Sequence, residues 1–236
     1  MPNIGIISDI HSNITALDAV LTDMINRFQV QEIWSTGDLV GYYCYPVEVI
    51  SRIKEYCVKD AVVKGNHDDA AAKGYIAESF RDGAAKGLQW SLYKLSDDDR
   101  RWLNALPSMA TLLRNNKKIM LVHGSPNFPL EEYVHPKDDA KLLSLIEFMN
   151  FLGIDLIFLG HLHKPFIYTQ DSKTVVNSGS VGQPRDNDPR ASYVILNTET
   201  WEITIERVPY DIEFVKKSVL EANLPKILAD RLEFGR

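Results

Sequence analysis

Five short apolar runs in this chain each end in a polar cluster carrying glycine, aspartate, asparagine or histidine. Ile4–Ser8 leads into Asp9-Ile10-His11, and Glu32–Thr36 into Gly37-Asp38. Ala61–Lys64 leads into Gly65-Asn66-His67-Asp68, Lys118–Val122 into His123-Gly124, and Asp155–Leu159 into Gly160-His161-Leu162-His163. Runs rich in β-branched and aliphatic residues read as buried strands. Between them, Leu17, Val20, Leu21, Met24, Ile25 and Phe28 recur at helical spacing, and Pro46–Tyr56 reads as a helix with proline in its first turn. Alternating strands and helices suggest an open α/β sheet. The C-terminal strand ends of such a sheet form the edge where ligands bind.

The rest of the chain has a different rhythm. Ser79–Leu106 reads as mostly helical, with Ser96 and Asp99 as a capping box. Met109–Leu113 and Lys118–His123 flank Arg114-Asn115-Asn116-Lys117, a hairpin turn. Asp139–Asn150 reads as a helix. Shorter strands follow at Pro165–Gln170, Thr174–Asn177, Tyr193–Asn197 and Trp201–Val208, and the C-terminal stretch is helical around Pro225. No repeat, low-complexity segment or Pro/Gly/Ser linker divides the chain. The expectation is one domain over residues 1–236, a two-sheet α/β sandwich with outer helices.

Five of the six histidines lie in the polar clusters, with no cysteine among them. Imidazole, carboxylate and amide donors suit divalent cations held close together, not a structural zinc. A metal pair roughly 3.5–4 Å apart drives in-line attack of water on phosphorus. Each cluster alone has a plainer reading. Asp9-x-His11 precedes a helix that Ser12 or Asn13 would cap. Gly37-Asp38 suits a turn, and Gly65-Asn66-His67-Asp68 an Asx-turn with a surface histidine. His123 alone reads as a satisfied histidine at a strand end. On an extended segment His161 and His163 would share a face, whereas a bend after Gly160 would send them to different metals. Five such clusters in order, each at a strand end, favour the joint reading.

The net charge of −6 argues against a broad nucleic-acid surface, though not against a short or cyclic nucleotide. Bound cations would reverse the field in an acidic pocket. Cys44 and Cys57 give no disulfide framework, the N-terminus lacks a basic signal-peptide region, and no apolar stretch approaches a membrane span. A cytoplasmic protein is expected, with no membrane partner.

The ordered motifs Asp-x-His, Gly-Asp, Gly-Asn-His-Asp, His-Gly and Gly-His-x-His resemble those of the calcineurin-like metallophosphoesterases, with none missing between Asp9 and His163. Gly37–Tyr42 and Asn177–Arg185 look like the small prokaryotic phosphodiesterase branch. Ser178, where that branch has proline, and Cys44 depart from its pattern. The resemblance implies one metal on Asp9, His11 and His163, a second on Asn66, His123 and His161, and Asp38 bridging them. It gives His67 the role of the non-ligand histidine that stabilises the transition state or protonates the leaving oxygen. Asp68 is expected to bond a ring nitrogen of His67 and fix its tautomer. Mn²⁺ is the first choice of metal, with Fe, Ni²⁺, Co²⁺ or Zn²⁺ as alternatives.

Two divalent cations, less Asp9, Asp38 and a bridging hydroxide, leave a charge of about +1, which suits an anionic phosphoester. Arg185 is a candidate phosphate contact through its fork, and Asn13, Tyr42, Tyr43 and Arg190 are candidates to line the pocket. For the aromatics the plainer reading is packing, and for the arginines pairing with Asp186 and Asp188. His135 reads as an exposed loop residue. A small phosphodiester is thus the expected substrate. The alternatives are a phosphomonoesterase, including a protein phosphatase; a nuclease; and a non-catalytic metal-binding scaffold of the same fold. Such scaffolds, the retromer subunit among them, typically lack the histidine that here is His67.

Overall fold

The computed structural model describes residues 3–78 and 80–236. Among these residues two sheets carry nine strands. The first has the order β2-β1-β8-β9, from β1 (Asn3–Ile7), β2 (Glu32–Ser35), β8 (Ala191–Asn197) and β9 (Ile203–Val208). The second runs β3-β4-β5-β7-β6, from β3 (Met109–Arg114), β4 (Lys117–Val122), β5 (Leu156–Leu159), β6 (Phe166–Gln170) and β7 (Lys173–Asn177). Pairs β1–β2, β4–β5 and β5–β7 are parallel, and the others antiparallel.

Alternating side chains give each sheet two apolar faces. Ile4, Ile6, Trp34, Val194 and Leu196 of the first sheet meet Ile119, Leu121, Leu156, Phe158 and Val176 of the second. That is the core between the sheets. Ile7, Ile33 and Ile195 point the other way, onto α1 (Ile14–Phe28) and α2 (Pro46–Tyr56). Val122, Ile157 and Val175 point onto α6 (Asp139–Leu152). The two-sheet α/β sandwich with outer helices is the observed fold. Asn115 and Asn116, both at positive φ, form the β3–β4 hairpin turn, as expected of asparagine there.

Three expectations need correction or limits. Ala61–Lys64 is not a strand. Lys59–Ala61 is a 3-10 turn, and Val62 makes only an isolated bridge to Ser35. Its apolar character comes from plugging the inter-sheet core through Ala61 and Val63. The third cluster, Gly65-Asn66-His67-Asp68, therefore does not follow a strand; it opens a helix, α3 (Asn66–Lys73). Ser79 lies outside the described residues. The helices of its segment are α4 (Asp82–Lys94) and α5 (Asp97–Ala105), and Ser96 caps α5 in the expected box with Asp99. The chain ends in α7 (Ile212–Glu221) and α8 (Lys226–Asp230), with Pro225 at the start of α8. Among the described residues no helix is long and apolar enough to cross a membrane.

Candidate metal centre

The C-terminal ends of β1, β2, β4 and β5 converge at the seam between the sheets, and the N-terminus of α3 joins them. Asp9 and Asp38 leave neighbouring parallel strands, and their loops are laced together. Asp9 N–H donates to the Gly37 carbonyl at 2.9 Å, and His11 N–H to that of Asp38 at 3.0 Å. From the second sheet, His161 N–H donates to both Asp9 carboxylate oxygens, at 3.2 and 3.0 Å. The Asn177–Ser180 segment supports this arrangement. Ser180 Oγ donates to the Asp9 carbonyl at 2.7 Å, and Asn177 Nδ2 to that of Gly160 at 2.6 Å. A Cβ on Gly160 would sit 2.2 Å from Ser8 Oγ and 2.9 Å from Asp9 Oδ2, so no side chain fits there. Asp9, His11, Asp38, His161 and His163 all have φ between 51° and 65°. Non-glycine residues in this left-handed region are uncommon, and such outliers gather at functional sites.

Each of three imidazoles is turned by a backbone carbonyl. His11 Nδ1 lies 3.1 Å from Val40 O, His123 Nδ1 2.9 Å from Thr36 O, and His163 Nδ1 2.6 Å from Gln183 O. A carbonyl only accepts, so each Nδ1 carries the hydrogen. Burial holds His11 and His163 below the usual histidine pKa, as neutral rings. Their Nε2 atoms are then bare lone pairs, facing each other at 3.1 Å. Asp9 Oδ1 is 3.1 Å from one and 3.8 Å from the other. Three buried lone pairs converging in this way repel unless a cation lies between them. Donors about 2.1 Å from one ion, at roughly 90–110° to each other, sit about 3.0–3.5 Å apart, close to this spacing.

A second group shares an atom with the first. Asp38 Oδ2 is 3.6 Å from His11 Nε2 and 3.3 Å from His123 Nε2. Asp38, His123 and His161 offer donor atoms all within 4.8 Å of one another. His161 is held at about 3, chiefly by burial and then by His123. Burial also opposes a charge on His123, but Asp38 outweighs it and raises the pKa to about 9. Asn66 Oδ1 and His123 Nε2 are buried without a hydrogen-bond partner, a costly state that a cation would relieve. The donor set fits divalent ions with oxygen and nitrogen ligands. Gly160 opens the bend that sends His161 towards Asp38 and His123, and His163 towards Asp9 and His11.

His67, in the first turn of α3, places its N–H on Asp38 Oδ1 at 2.9 Å, and this bond aims the other Asp38 oxygen at the two groups. One of its ring nitrogens also lies within 4.8 Å of donor atoms of His11 and Asp38. It stacks on Phe80, with centroids 4.5 Å apart and planes 13° apart. Burial, against the pull of Asp38, holds His67 at about 4, a neutral ring. Asp68 does not bond this ring. Its Oδ1 accepts from Leu39 N–H at 2.9 Å and Val40 N–H at 3.1 Å, and its Oδ2 from Gly65 N–H at 3.0 Å. Helix geometry explains the correction: the third residue of a helix reaches back to the cap, not sideways to its neighbour.

Residues 3–201 match the family model described as the calcineurin-like phosphoesterase superfamily domain. The chain belongs to this superfamily. An uncharacterized protein of Methanocaldococcus jannaschii is 34% identical over 252 residues, covering 99% of this chain and 98% of the relative. A metallophosphoesterase from Sphaerobacter thermophilus has a crystal structure that matches with a TM-score of 0.83 at 32% identity, covering 100% of this chain and 99% of its own. A hypothetical protein from Pyrococcus horikoshii OT3 shares the fold, with a TM-score of 0.90 at 22% identity over 100% and 99% of the two chains. Phosphoesterases of this family are metal-dependent, in keeping with the donor cluster.

The candidate substrate contacts of this phosphoesterase fare unequally. Asn13 caps α1: its Oδ1 accepts from Ala16 N–H at 3.2 Å, and its Nδ2 donates to Gly182 O at 3.0 Å. Both ends of its amide thus hold the loop before α1. Tyr43 is fully buried in the C-terminal cluster, bonded to Leu228 O and Gln183 Nε2. Its loop turns the ring inward, away from solvent. Arg190 pairs with Asp188 at 2.6 Å, while Asp186 pairs with Arg207. Arg185 remains beside the site: it donates to Tyr42 Oη at 3.2 Å and to Gln183 Oε1 at 2.6 Å. Two site residues escape the sequence reading. Phe80 backs His67, and Tyr133 stacks on His161. Neither sits in a motif, and only the fold brings them in. A separate cavity of about 520 Å³ beside α2 and α5, lined by residues such as Ile53, Cys57 and Trp102, shares no residue with the cluster.

Proposed function

We propose that this phosphoesterase hydrolyses small phosphodiesters at a centre of two divalent cations. The observation that carries the reading is Asp38 Oδ2, which lies between the imidazoles of two donor groups at 3.6 and 3.3 Å. In this reading Asp9, His11 and His163 hold one ion, Asn66, His123 and His161 the other, and Asp38 serves both. Such a pair would supply Lewis-acid activation of water and would neutralise charge on the ester.

The side chains divide the remaining work. Arg185 carries a fork suited to phosphate oxygens, and Tyr42 and Gln183 orient it. Only Nδ1 of His67 is sealed from solvent without a partner, so Nε2 is the nitrogen a bound ester would meet. As a neutral ring it serves by donating a hydrogen bond to the departing oxygen, not as an imidazolium. Asp68 is a positioning residue for the loop that carries Asp38. A diester presents one negative charge, which suits a single nearby Arg185 and a metal pair already offset by two carboxylates. Cys44 and Cys57 are both unpaired, in keeping with a reducing, cytoplasmic setting.

The test has two parts. Protein saturated with Mn²⁺ is expected to hold two ions per chain by elemental analysis, and a plateau at one would end the two-ion assignment. The loaded enzyme is expected to show a higher kcat/KM on an aryl phosphodiester than on the monoester with the same leaving group. A clear advantage for the monoester would make it a phosphatase. Full metal binding with no turnover on either would make it a scaffold.

A further inference from the structure

The family motifs account for the phosphate end of a substrate and say nothing of its organic end. Burial shows where that end must lie. Asp9, His11, Asp38, His123 and His163 are sealed, whereas His161 keeps 7% of its surface and His67 keeps 4%. Both rings that face the opening are backed by another aromatic ring. Phe80 lies against His67 as described. Tyr133, on the loop between β4 and α6, lies nearly parallel to His161, with centroids 3.9 Å and planes 15° apart. Tyr42 stands edge-on to His11 at 4.6 Å and tilted over His67 at 4.9 Å, with the Arg185 guanidinium 5.7 Å from its ring. The opening is therefore walled by flat rings, with one guanidinium among them.

Tyr133 is the wall with a free face. Its other face is spent on His161, yet the residue remains 45% exposed, with His135 tilted away at 6.4 Å. The loop under it is braced. Lys141 of α6 donates to the Tyr133 carbonyl at 3.0 Å and pairs with Glu132 at 3.0 Å, while Glu132 accepts from Ser125 Oγ. A ring held this way loses little freedom when something stacks on it. The Tyr133 hydroxyl makes no hydrogen bond among the described residues.

Given the phosphodiesterase reading on which this rests, we propose that Tyr133 selects the organic part of the substrate. It stacks a planar aromatic group, a nucleobase or an aryl ring, on its free face while the phosphate sits between His67, His161 and Arg185. Stacking of one base on one aromatic side chain is sequence-tolerant and worth about tenfold or more in affinity. A short or cyclic nucleotide has both parts, and an alkyl diester lacks the flat one.

The test is direct binding, so it does not depend on turnover. Calorimetry on the Mn²⁺-loaded full chain compares adenosine 5′-monophosphate with ribose 5-phosphate, which share the phosphate and sugar and differ by the base. The nucleotide is expected to bind about tenfold more tightly. Tyr133→Leu is expected to shrink that ratio to about twofold or less, and Tyr133→Phe to preserve it. Equal affinities in the unaltered chain would overturn the proposal, as would a ratio that survives Tyr133→Leu. Elemental analysis of each variant checks that the metals remain. If Tyr133→Leu loses them, the ratio in the unaltered chain and in Tyr133→Phe still decides. A tenfold ratio without turnover on any ester would keep the stacking site and end the enzyme reading. Turnover with equal affinities would do the reverse.

Discussion

The carboxylate of Asp68 accepts three backbone N–H groups, two from the loop after β2 and one from the helix cap. Asp68→Ala leaves those donors buried and unpaired, at about 1–3 kcal/mol each. Thermal unfolding should move down by about 6 °C or more in a chain of this size, with Mn²⁺ affinity falling alongside. A variant that melts normally and fails only in kcat would show Asp68 to be a direct participant instead. His67→Ala has the opposite profile. It should keep both ions and lose about 10²–10³-fold in kcat, the usual cost of removing one hydrogen-bond donor from the transition state. Normal turnover after reloading a metal-depleted variant would make His67 a ligand. The types and order of the donor residues were legible from the sequence, because chemistry restricts which side chains can bind such cations. Which hydrogen bonds Asp68, Asn13 and Tyr43 make was not. A carboxylate, an amide or a phenol serves a cap, a core or a pocket equally well until its neighbours are in place.

Helix α3 is the element that the linear pattern concealed. Gly65 offers no side-chain oxygen to cap it, so the usual start signal is missing, and the apolar run before it imitates a strand. The run Ala70-Ala71-Ala72 was the available clue, since alanine has the highest helix propensity. Glycine at position 65 has a steric cause: a Cβ there would lie 2.1 Å from Asp38 Oδ1. Gly65→Ala should therefore displace Asp38 and weaken metal binding by about 10–100-fold, the range typical of disturbing what orients a ligand. Metal titration checks this, with Ser96→Ala as the comparison. That cap belongs to α5, and its loss should cost about 1 kcal/mol of stability with metal affinity unchanged. Equal metal affinity in Gly65→Ala and the parent would mean that the helix start tolerates the extra carbon and that Asp38 is not held there.

At the scale of the molecule, the strands and their layers could be read from residue patterns, because burial on one face or both leaves a period in the sequence. Pairing could not. The chain leaves the first sheet after β2, builds all of the second, and returns to add β8 beside β1; no local signal records that return. The candidate ligands straddle the two sheets. Ions bound only by the folded chain should raise its stability by about 2.7 kcal/mol at a hundredfold excess over Kd. Chelation should then lower Tm by roughly 5–10 °C, and a melting curve indifferent to EDTA would contradict that. The seam has a consequence in time as well. His11 and His163 are 152 residues apart in the chain, so their meeting must await the docking of both sheets. A contact made so late belongs to the descent from the barrier, not to the climb. Metal should leave the refolding rate nearly as it is and lengthen the lifetime of the native state, a clasp that closes last and must open first.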